Sequence, residues 1–290
     1  MKIKVPILQE GKTIKSVNLH FTSICNYKCR FCFAHSLSKS IMDLSKCEQI
    51  LNKIKALGLE KINFVGGEPM THPLIFDMAR CAKNLGFTVC ITTNGSLLNK
   101  NNIEKLSSYV DWIGLSVDSN SNDVEKELGR GFGNHVSHSM KVAGFIHDAE
   151  IRLKINTTIT KQNYKEDLHS LIKSFNPERW KVFQMLHIIG QNDSCVDDLS
   201  VTKDEFEQFI RLHGDITLAG GAHPVFENND TMINSYLMIS PDGNIILNKD
   251  GRYSEIPLDR LTNGNIPVIL NEEKYLSRKA LYDWKRKGNS

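Results

Sequence analysis

Three cysteines, Cys25, Cys29 and Cys32, lie close together in the pattern C-x3-C-x2-C. Cysteine thiolates are soft ligands that suit iron–sulfur clusters or zinc. Three of them on one short loop can bind three irons of a [4Fe–4S] cluster and leave the fourth iron open to another molecule. The residues between them include Lys28 and Arg30, which do not fit a buried core segment. The spacing therefore predicts an iron–sulfur site with one open iron.

Zinc is the competing ligand for such a loop. A structural zinc site normally needs four ligands, commonly arranged as two separated pairs. This chain offers the three cysteines and His35, with no second pair of cysteines nearby. Cys47 stands at helical spacing from Ile50, which predicts a place in the core. A non-catalytic zinc-binding interaction module remains the alternative from another class of protein.

Composition limits the class of protein. The 290 residues are 40% hydrophobic and 24% charged with a net charge of +3, so no bulk charge favours direct nucleic-acid or membrane binding. No apolar run approaches the roughly 20 residues of a membrane helix, and the N-terminal ten residues lack the features of a signal peptide. Seven cysteines are an odd number, which disfavours a disulfide framework. We expect a cytoplasmic monomer.

Strand and helix patterns alternate through the first 190 residues. Regular alternation predicts a parallel sheet with right-handed crossovers. Six units predict an α/β fold, a partial (βα)6 TIM-type barrel over residues 1–190, although an open doubly wound sheet fits the pattern alone. Residues 191–290 are interpreted as a C-terminal extension that closes the barrel and covers the substrate, with a helix at 203–213 and a hairpin around 241–243. The predicted strands are 15–22, 61–65, 87–92, 111–117, 151–158 and 179–186, and the predicted helices are 43–57, 73–85, 101–108, 135–148 and 163–174.

Polar motifs follow the first four predicted strands. The cysteine loop follows the first strand, residues 66–69 (GGEP) the second, residues 94–96 (NGS) the third, and Ser116 ends the fourth. In barrels of parallel strands the active site forms at the carboxyl ends of the strands. The polar motifs therefore share the carboxyl edge of the predicted sheet, and this arrangement favours the barrel.

Basic residues lie inside several predicted strands, where a charged side chain among apolar neighbours is unusual. A single such lysine is more simply explained by a strand face that meets solvent. Several in comparable positions predict a cationic cavity for a polyphosphate, in which side chains replace the backbone cradle of a Walker-type loop. The lysines within strands are Lys61, Lys154 and Lys181, and they are joined by Arg179 and by Arg130 on a glycine-rich loop after the fourth strand.

The cysteine motif followed by GGEP resembles the radical S-adenosylmethionine (radical SAM) enzymes. In that family the open iron binds the amino and carboxylate groups of S-adenosylmethionine, and the reduced cluster cleaves it to a 5′-deoxyadenosyl radical. The resemblance implies a [4Fe–4S] cluster on the three cysteines and S-adenosyl-L-methionine as cofactors. It places Gly66, Gly67 and Glu68 at the methionine amino group. Asn94, Ser96 and Ser116 are candidate partners for the ribose and carboxylate of this cofactor.

Longer stretches are similar to the viperin family, namely residues 18–22 (NLHFT), 61–69 (KINFVGGEP), 129–131 (GRG), 154–156 (KIN), 176–184 (NPERWKVFQ) and 235–237 (SYL). Viperins convert CTP to 3′-deoxy-3′,4′-didehydro-CTP, an RNA chain terminator, and prokaryotic relatives accept other nucleotides in antiphage defence. The resemblance implies a CTP, GTP or UTP substrate and an electron donor such as a flavodoxin or ferredoxin. Tyr236 matches a tyrosine near the reacting ribose. The matching nucleotide-binding positions are Asn18, Lys61, Asn63, Arg130, Lys154, Asn156, Arg179 and Lys181.

The nearest rival is a radical SAM enzyme that acts on another nucleotide or on a peptide. The GTP cyclase of molybdopterin synthesis and many peptide-modifying enzymes carry a second cysteine cluster downstream. After residue 90 this chain has only Cys195, which disfavours a second cluster.

Overall fold

The computed structural model describes residues 14–262 and 265–284, through which one ten-stranded sheet runs. The N-terminal ten residues, judged above for a signal peptide, lie outside the described residues. The strands are β1 (Ser16–His20), β2 (Lys61–Val65), β3 (Thr88–Thr93), β4 (Trp112–Ser116), β5 (Arg152–Ile159), β6 (Arg179–Gln184), β7 (Val225–Glu227), β8 (Met238–Ile239), β9 (Asn244–Lys249) and β10 (Arg252–Pro257).

The sheet confirms the predicted α/β barrel of parallel strands. Its order is β10-β9-β8-β1-β2-β3-β4-β5-β6-β7, and the pairs from β8 through β1 to β7 are all parallel. β4 and β6 are buried along nearly their whole length. This is the pattern of strands with helices on one face and a barrel interior on the other.

Helices follow the first six strands as the alternation predicts. α1 begins after Asp43, whose side chain accepts a hydrogen bond from the Lys46 backbone N–H at 2.7 Å. It buries Cys47, so the prediction of a core cysteine is confirmed. The helices are α1 (Leu44–Ala56), α2 (Ile75–Asn84), α3 (Lys100–Leu106), α4 (Asn122–Glu127), α5 (His135–Asp148), α6 (His169–Phe175), α7 (Val196–Leu199), α8 (Lys203–His213), α9 (Asn229–Met232), α10 (Ile266–Ile269) and α11 (Glu272–Ser277).

One predicted helix begins later than its apolar pattern suggested. The prediction was residues 163–174, whereas α6 begins at His169. The Asn163 side chain accepts from the Thr160 backbone N–H at 2.7 Å and donates to the Asp118 carbonyl at 2.7 Å. These bonds hold the segment in a turn, because the asparagine side chain competes with helical hydrogen bonding.

The C-terminal segment extends both edges of the sheet. β7 pairs with β6 at one edge, and β8 pairs with β1 at the other, before β8 and β9 form the predicted hairpin. Gly243 in that turn has a φ of +81°, a conformation that favours glycine. α8 spans the predicted residues. The domain boundary at residue 190 remains a prediction.

No helix in the described part of the chain combines the length and apolar character needed to cross a membrane.

Candidate active site

A cavity of about 310 Å³ opens at the carboxyl ends of the parallel strands. It brings together all the predicted site residues except Ser96, which does not line it. The lining members are Asn18, Cys25, Cys29, Cys32, Lys61, Asn63, Gly66, Gly67, Glu68, Asn94, Ser116, Arg130, Lys154, Asn156, Arg179, Lys181 and Tyr236.

The three cysteines of the loop all line the cavity wall. All three are free thiols, and cysteine thiolates are the ligands that iron–sulfur clusters take. A structural zinc site normally needs four ligands. Burial raises the pKa of Cys29 to about 12, so cluster binding must displace its proton. The donor set therefore fits a multi-iron cluster.

One other group of side chains is close enough to share a metal ion within the described residues. It consists of Asp167, His169 and His213. Both ring nitrogens of His213 are occupied, one by the Phe209 carbonyl at 2.9 Å and the other by the Leu168 backbone N–H at 3.0 Å. With no free nitrogen on His213, this group lacks a complete ligand set.

The glycine pair after β2 packs directly against the cysteine loop. A Cβ on Gly66 would lie 2.3 Å from the Thr22 carbonyl oxygen, and one on Gly67 would lie 1.9 Å from that of Ile24. The Gly67 backbone N–H donates to Thr22 at 2.7 Å, and that of Glu68 donates to Ile24 at 2.8 Å. The glycines therefore allow the end of β2 to hold the loop that carries the three cysteines.

Gly129 forms a second close contact with the cysteine loop. A Cβ there would lie 2.1 Å from the Lys28 carbonyl oxygen. The Lys28 backbone N–H donates to Gly129 at 3.1 Å, and that of Arg30 donates to Leu128 at 2.9 Å. The GRG stretch thus positions the cysteine loop from the β4 side.

Glu68 is buried with its carboxylate held by neighbours. It accepts from the Thr93 hydroxyl at 2.5 Å and from the backbone N–H groups of Asn94 at 2.7 Å and Met70 at 3.0 Å. Burial raises the pKa of this carboxyl, and the hydrogen bonds oppose that rise. A pre-oriented carboxylate on the cavity wall fits an ammonium ligand.

Asn94 and Ser96 clamp the cysteine loop through Asn26. The Asn26 side chain donates to the Ser96 hydroxyl at 2.8 Å and accepts from the Asn94 side chain at 2.9 Å. Asn94 also accepts from the Ser96 backbone N–H at 2.9 Å. Ser96 therefore contacts the cysteine loop, and its contact with the cofactor remains a prediction.

Arg130 is neutralised by acidic neighbours. Its Nε lies 2.5 Å from Asp118 Oδ2 and 3.6 Å from Glu125 Oε2, and all three side chains are buried. Burial works against the charge, but these carboxylates hold the pKa of Arg130 above its usual value. Its guanidinium also lies 5.4 Å from the Phe31 ring of the cysteine loop. The structure thus places Arg130 beside the cluster ligands.

A ladder of polar side chains crosses the cavity wall between β1 and β5. The Asn63 side chain donates to Asn18 at 3.0 Å and accepts from the Thr92 hydroxyl at 3.0 Å. Lys154 Nζ lies 3.5 Å from the same hydroxyl. The ladder follows the strand register, in which Asn18 is paired with Asn63.

The half of the cavity away from the cysteines is strongly cationic. Burial lowers the pKa of Lys61 to about 8 and that of Lys181 well below its usual value. Within the described residues, one carboxylate, that of Glu227, forms an ion pair with this group, at Lys181. A bound polyanion would supply the missing negative charge. The cations are Lys61, Lys154, Arg179, Lys181 and Arg278.

Tyr236 belongs to a buried polar cluster at this end. Its hydroxyl donates to Glu227 and accepts from Lys181 Nζ at 2.7 Å. Burial and the Glu227 carboxylate raise the pKa of Tyr236 well above its usual value. The Arg278 guanidinium lies 3.7 Å from the centre of its ring. Tyr236 is therefore a protonated phenol at neutral pH.

Sequence reasoning missed several cavity residues. Tyr282 contacts Lys61 through its hydroxyl and stacks under Arg179 at 3.9 Å, although it comes from the end of the described chain. His20 is buried with an unpaired Nδ1, and burial lowers its pKa to about 4. The sequence could have indicated His20, because it stands two residues after Asn18 on β1 and therefore shares the face that lines the cavity. The other missed residues include Asn248, Tyr253 and Arg278.

Comparison with known proteins identifies the family of this chain. The family model described as the Radical SAM superfamily matches residues 19–199. The S-adenosylmethionine-dependent nucleotide dehydratase of Thermoplasmatales archaeon (strain ISO4-H5) is 35% identical and covers 94% of this chain and 97% of its own length. The dehydratase RSAD2 of Oncorhynchus mykiss is 30% identical, covering 97% of this chain and 83% of its own.

Solved structures support the fold alone. Streptococcus suis SuiB superposes with a TM-score of 0.66 at 17% identity, covering 93% of this chain and 68% of that protein. The enzyme anSMEcpe with bound AdoMet gives a TM-score of 0.65 at 18% identity, covering 89% and 80%.

The barrel and its cysteine loop define a radical SAM enzyme, and the chain is a member of that superfamily. The predicted cofactors, a [4Fe–4S] cluster and S-adenosylmethionine, are those of the superfamily. Within it, the chain belongs to the S-adenosylmethionine-dependent nucleotide dehydratases, the viperin family that the sequence resembles. The prediction of an enzyme is confirmed, which leaves the zinc-module alternative without support.

Proposed function

We propose that this enzyme converts a ribonucleoside triphosphate to its 3′-deoxy-3′,4′-didehydro analogue, a chain terminator in antiviral (antiphage) defence. One observation carries the proposal: the cavity has the cysteine loop at one end and, at the other, a group of cations that has a single carboxylate partner among the described residues. This arrangement fits a substrate with a polyphosphate at one end and a reacting carbon at the other.

The cluster end of the cavity binds the cofactors in this proposal. Cys25, Cys29 and Cys32 hold the [4Fe–4S] cluster, and Glu68 accepts from the amino group of S-adenosylmethionine. Asn94 and Ser116 line the same cavity and are polar partners for the ribose and carboxylate of this cofactor. When bound, the cluster and S-adenosylmethionine supply a 5′-deoxyadenosyl radical able to remove a ribose hydrogen atom.

The cationic end binds the triphosphate in this proposal. Lys61, Lys154 and Arg179 face the cavity without a carboxylate partner among the described residues, so phosphate oxygens complete their interactions. Fixing the triphosphate orients the 4′ carbon towards the cluster end and excludes water. Asn18, Asn63 and Asn156 line the intervening wall, where they meet the ribose and base. Arg130, paired with Asp118, orders the cluster loop.

The net reaction removes one water from the ribose. The 4′ hydrogen leaves as an atom, the 3′ hydroxyl leaves with a proton as water, and one electron completes the 3′,4′ double bond. We propose that Tyr236, which lines the cavity, reaches the ribose between the two ends. The electron comes from a small donor protein such as a flavodoxin or ferredoxin, and we propose a cytoplasmic monomer with no direct nucleic-acid partner.

Mass spectrometry of anaerobically reconstituted, reduced enzyme tests this proposal. The enzyme receives S-adenosylmethionine and each of the four ribonucleoside triphosphates separately. We expect a product lighter by one water, formed with an equal amount of 5′-deoxyadenosine, for at least one nucleotide. Deuterium at the 4′ position should appear in the 5′-deoxyadenosine.

Matched variants test the cationic end. Lys154→Met should raise the KM for the nucleotide, while Lys203→Met, which removes a lysine exposed on α8, should leave it unchanged. Cofactor cleavage without any nucleotide product would retain the radical chemistry and reject the dehydratase reaction. Deuterium that never reaches 5′-deoxyadenosine would reject the removal of the 4′ hydrogen by the radical.

A further inference from the structure

Glu227 is an acidic residue in a place that should repel the substrate. Its side chain is fully buried at the end of β7, where the charged side chains that act on it, Lys181 and Arg278, are cations. A carboxylate here weakens the binding of a triphosphate, because like charges at close range are unfavourable. Charge balance alone does not explain it, since the neighbouring cations Lys61, Lys154 and Arg179 have no carboxylate partner within the described chain.

The hydrogen bonds of Glu227 point to a partnership with Tyr236. As the ammonium partner of Glu227 Oε1, Lys181 Nζ can only donate, and it donates to the Tyr236 hydroxyl oxygen at 2.7 Å. The phenol proton is thereby directed to Oε2 of Glu227. Among the described residues, this oxygen is the acceptor that the hydrogen bonds give to the phenol proton.

Further contacts keep the phenol and the carboxylate in these roles. The Arg278 guanidinium lies 3.7 Å from the centre of the Tyr236 ring and donates to the Ser235 carbonyl at 2.9 Å. Burial acts to raise the pKa of Glu227, but Lys181 and Arg278 outweigh it and hold that pKa below its usual value. Glu227 is therefore an ionised proton acceptor beside a protonated phenol.

We propose that Glu227 is a positioning residue for Tyr236 and the acceptor of its proton in the step that completes the dehydration. This inference rests on the proposed function. After water has left, the ribose is one electron short of the 3′,4′ alkene. Tyr236 supplies that electron and passes its proton to Glu227, giving the neutral product, a tyrosyl radical and a carboxylic acid. The one-electron donor protein that the reaction already needs reduces the tyrosyl radical, and Glu227 returns the proton.

The variant Glu227→Gln tests the proposal because it keeps the shape and one acceptor oxygen but cannot take up the proton. The readout is the ratio of didehydronucleotide to 5′-deoxyadenosine. We expect this ratio to fall about 100-fold, the lower end of the effect of losing a general base. The Kd of the nucleotide, measured by calorimetry with the cluster-loaded enzyme, should not rise, since the change removes a negative charge from the site.

A matched control makes the same chemical change elsewhere. Glu178 accepts from the Leu153 backbone N–H at 2.8 Å at the opposite end of the β5–β6 pair. Glu178→Gln should leave both the product ratio and the nucleotide Kd at the wild-type values. A fall in the product ratio of this control would overturn the inference, because loss of any hydrogen-bonded carboxylate beside the sheet would then suffice.

Tyr236→Phe and the double variant decide whether Glu227 acts through Tyr236. Tyr236→Phe should lower the product ratio to the same extent, and adding Glu227→Gln should lower it no further. An unchanged ratio in Tyr236→Phe overturns the proposal even if Glu227→Gln does not fold. The proposal is also overturned if Glu227→Gln neither binds the nucleotide nor forms 5′-deoxyadenosine, because that result marks a structural role. Failure of the proposed function is distinct, since wild-type enzyme would then form no didehydronucleotide.

Discussion

Replacing Gly67 with alanine tests whether close packing after β2 positions the cluster ligands. A Cβ at this position would lie 1.9 Å from the Ile24 carbonyl oxygen and 2.8 Å from the Ser23 carbonyl carbon. Both neighbours are backbone atoms, so the clash is not relieved by a side-chain rotation. In a close-packed region the two segments must separate by about 1 Å.

The cost follows from what that separation breaks. The Gly67 backbone N–H bonds Thr22 at 2.7 Å, and the Glu68 backbone N–H bonds Ile24 at 2.8 Å. Each hydrogen bond contributes about 0.5–1.5 kcal/mol, and the overpacking adds about 1–3 kcal/mol. We expect Gly67→Ala to lower the free energy of unfolding by about 2–6 kcal/mol.

Two measurements check this expectation. Urea unfolding of the cluster-free protein gives the free energy, and iron content with the visible spectrum after anaerobic reconstitution gives the cluster occupancy, which should fall. Gly144→Ala is the matched control, because nothing lies within 4 Å of a Cβ there, in the interior of α5. It should gain about 0.5–1 kcal/mol of stability and keep full iron occupancy. Wild-type stability and iron content in Gly67→Ala would refute the reasoning.

Three other changes have expected outcomes. Burial lowers the pKa of Lys61 to about 8, so the Kd of the nucleotide should rise as the pH passes upward through that value and the lysine loses its charge. Lys61→Arg should flatten this rise. A wild-type Kd that stays constant across this pH range would contradict the expectation. Ser96→Ala should lower the free energy of unfolding in urea by about 1 kcal/mol, because it loses the hydrogen bond from Asn26. The KM for S-adenosylmethionine should stay unchanged. A KM raised about tenfold would instead place Ser96 at the cofactor. Arg130→Gln leaves Asp118 buried without its cation and should lower the free energy of unfolding by about 3–5 kcal/mol; a loss below about 1 kcal/mol would show that the pair is not needed.

Local sequence patterns were enough to predict the framework of the site. β2 has the predicted bounds, Lys61–Val65, and α5 spans the predicted residues 135–148. Alternating and helical periodicities depend on near neighbours, so they can be read without the fold. The sharing of one sheet edge by the motifs follows from parallel strand order, which the βα alternation implies.

The side-chain partners of the motif residues could not be read in the same way. Gly67 was predicted to lie at the methionine amino group, and the structure shows that its lack of a side chain lets the Ile24 backbone approach. Arg130 was predicted to join the cationic cavity; it lines the cavity, and Asp118 pairs with it. The motifs gave the residues, but the pairing of each one depends on how the strand ends and loops fold together.

The sequence by itself determined the candidate ligand set Cys25, Cys29 and Cys32, the alternation that gives a parallel sheet, and the chemical class of the reaction. Tertiary structure decided the placement of Tyr282 against Lys61, 221 residues away along the chain, and the pairing of Tyr236 with Glu227. The physical reason is that motif spacing and periodicity are local, whereas the charge, proton and orientation of a buried side chain depend on which distant groups share its low-dielectric surroundings.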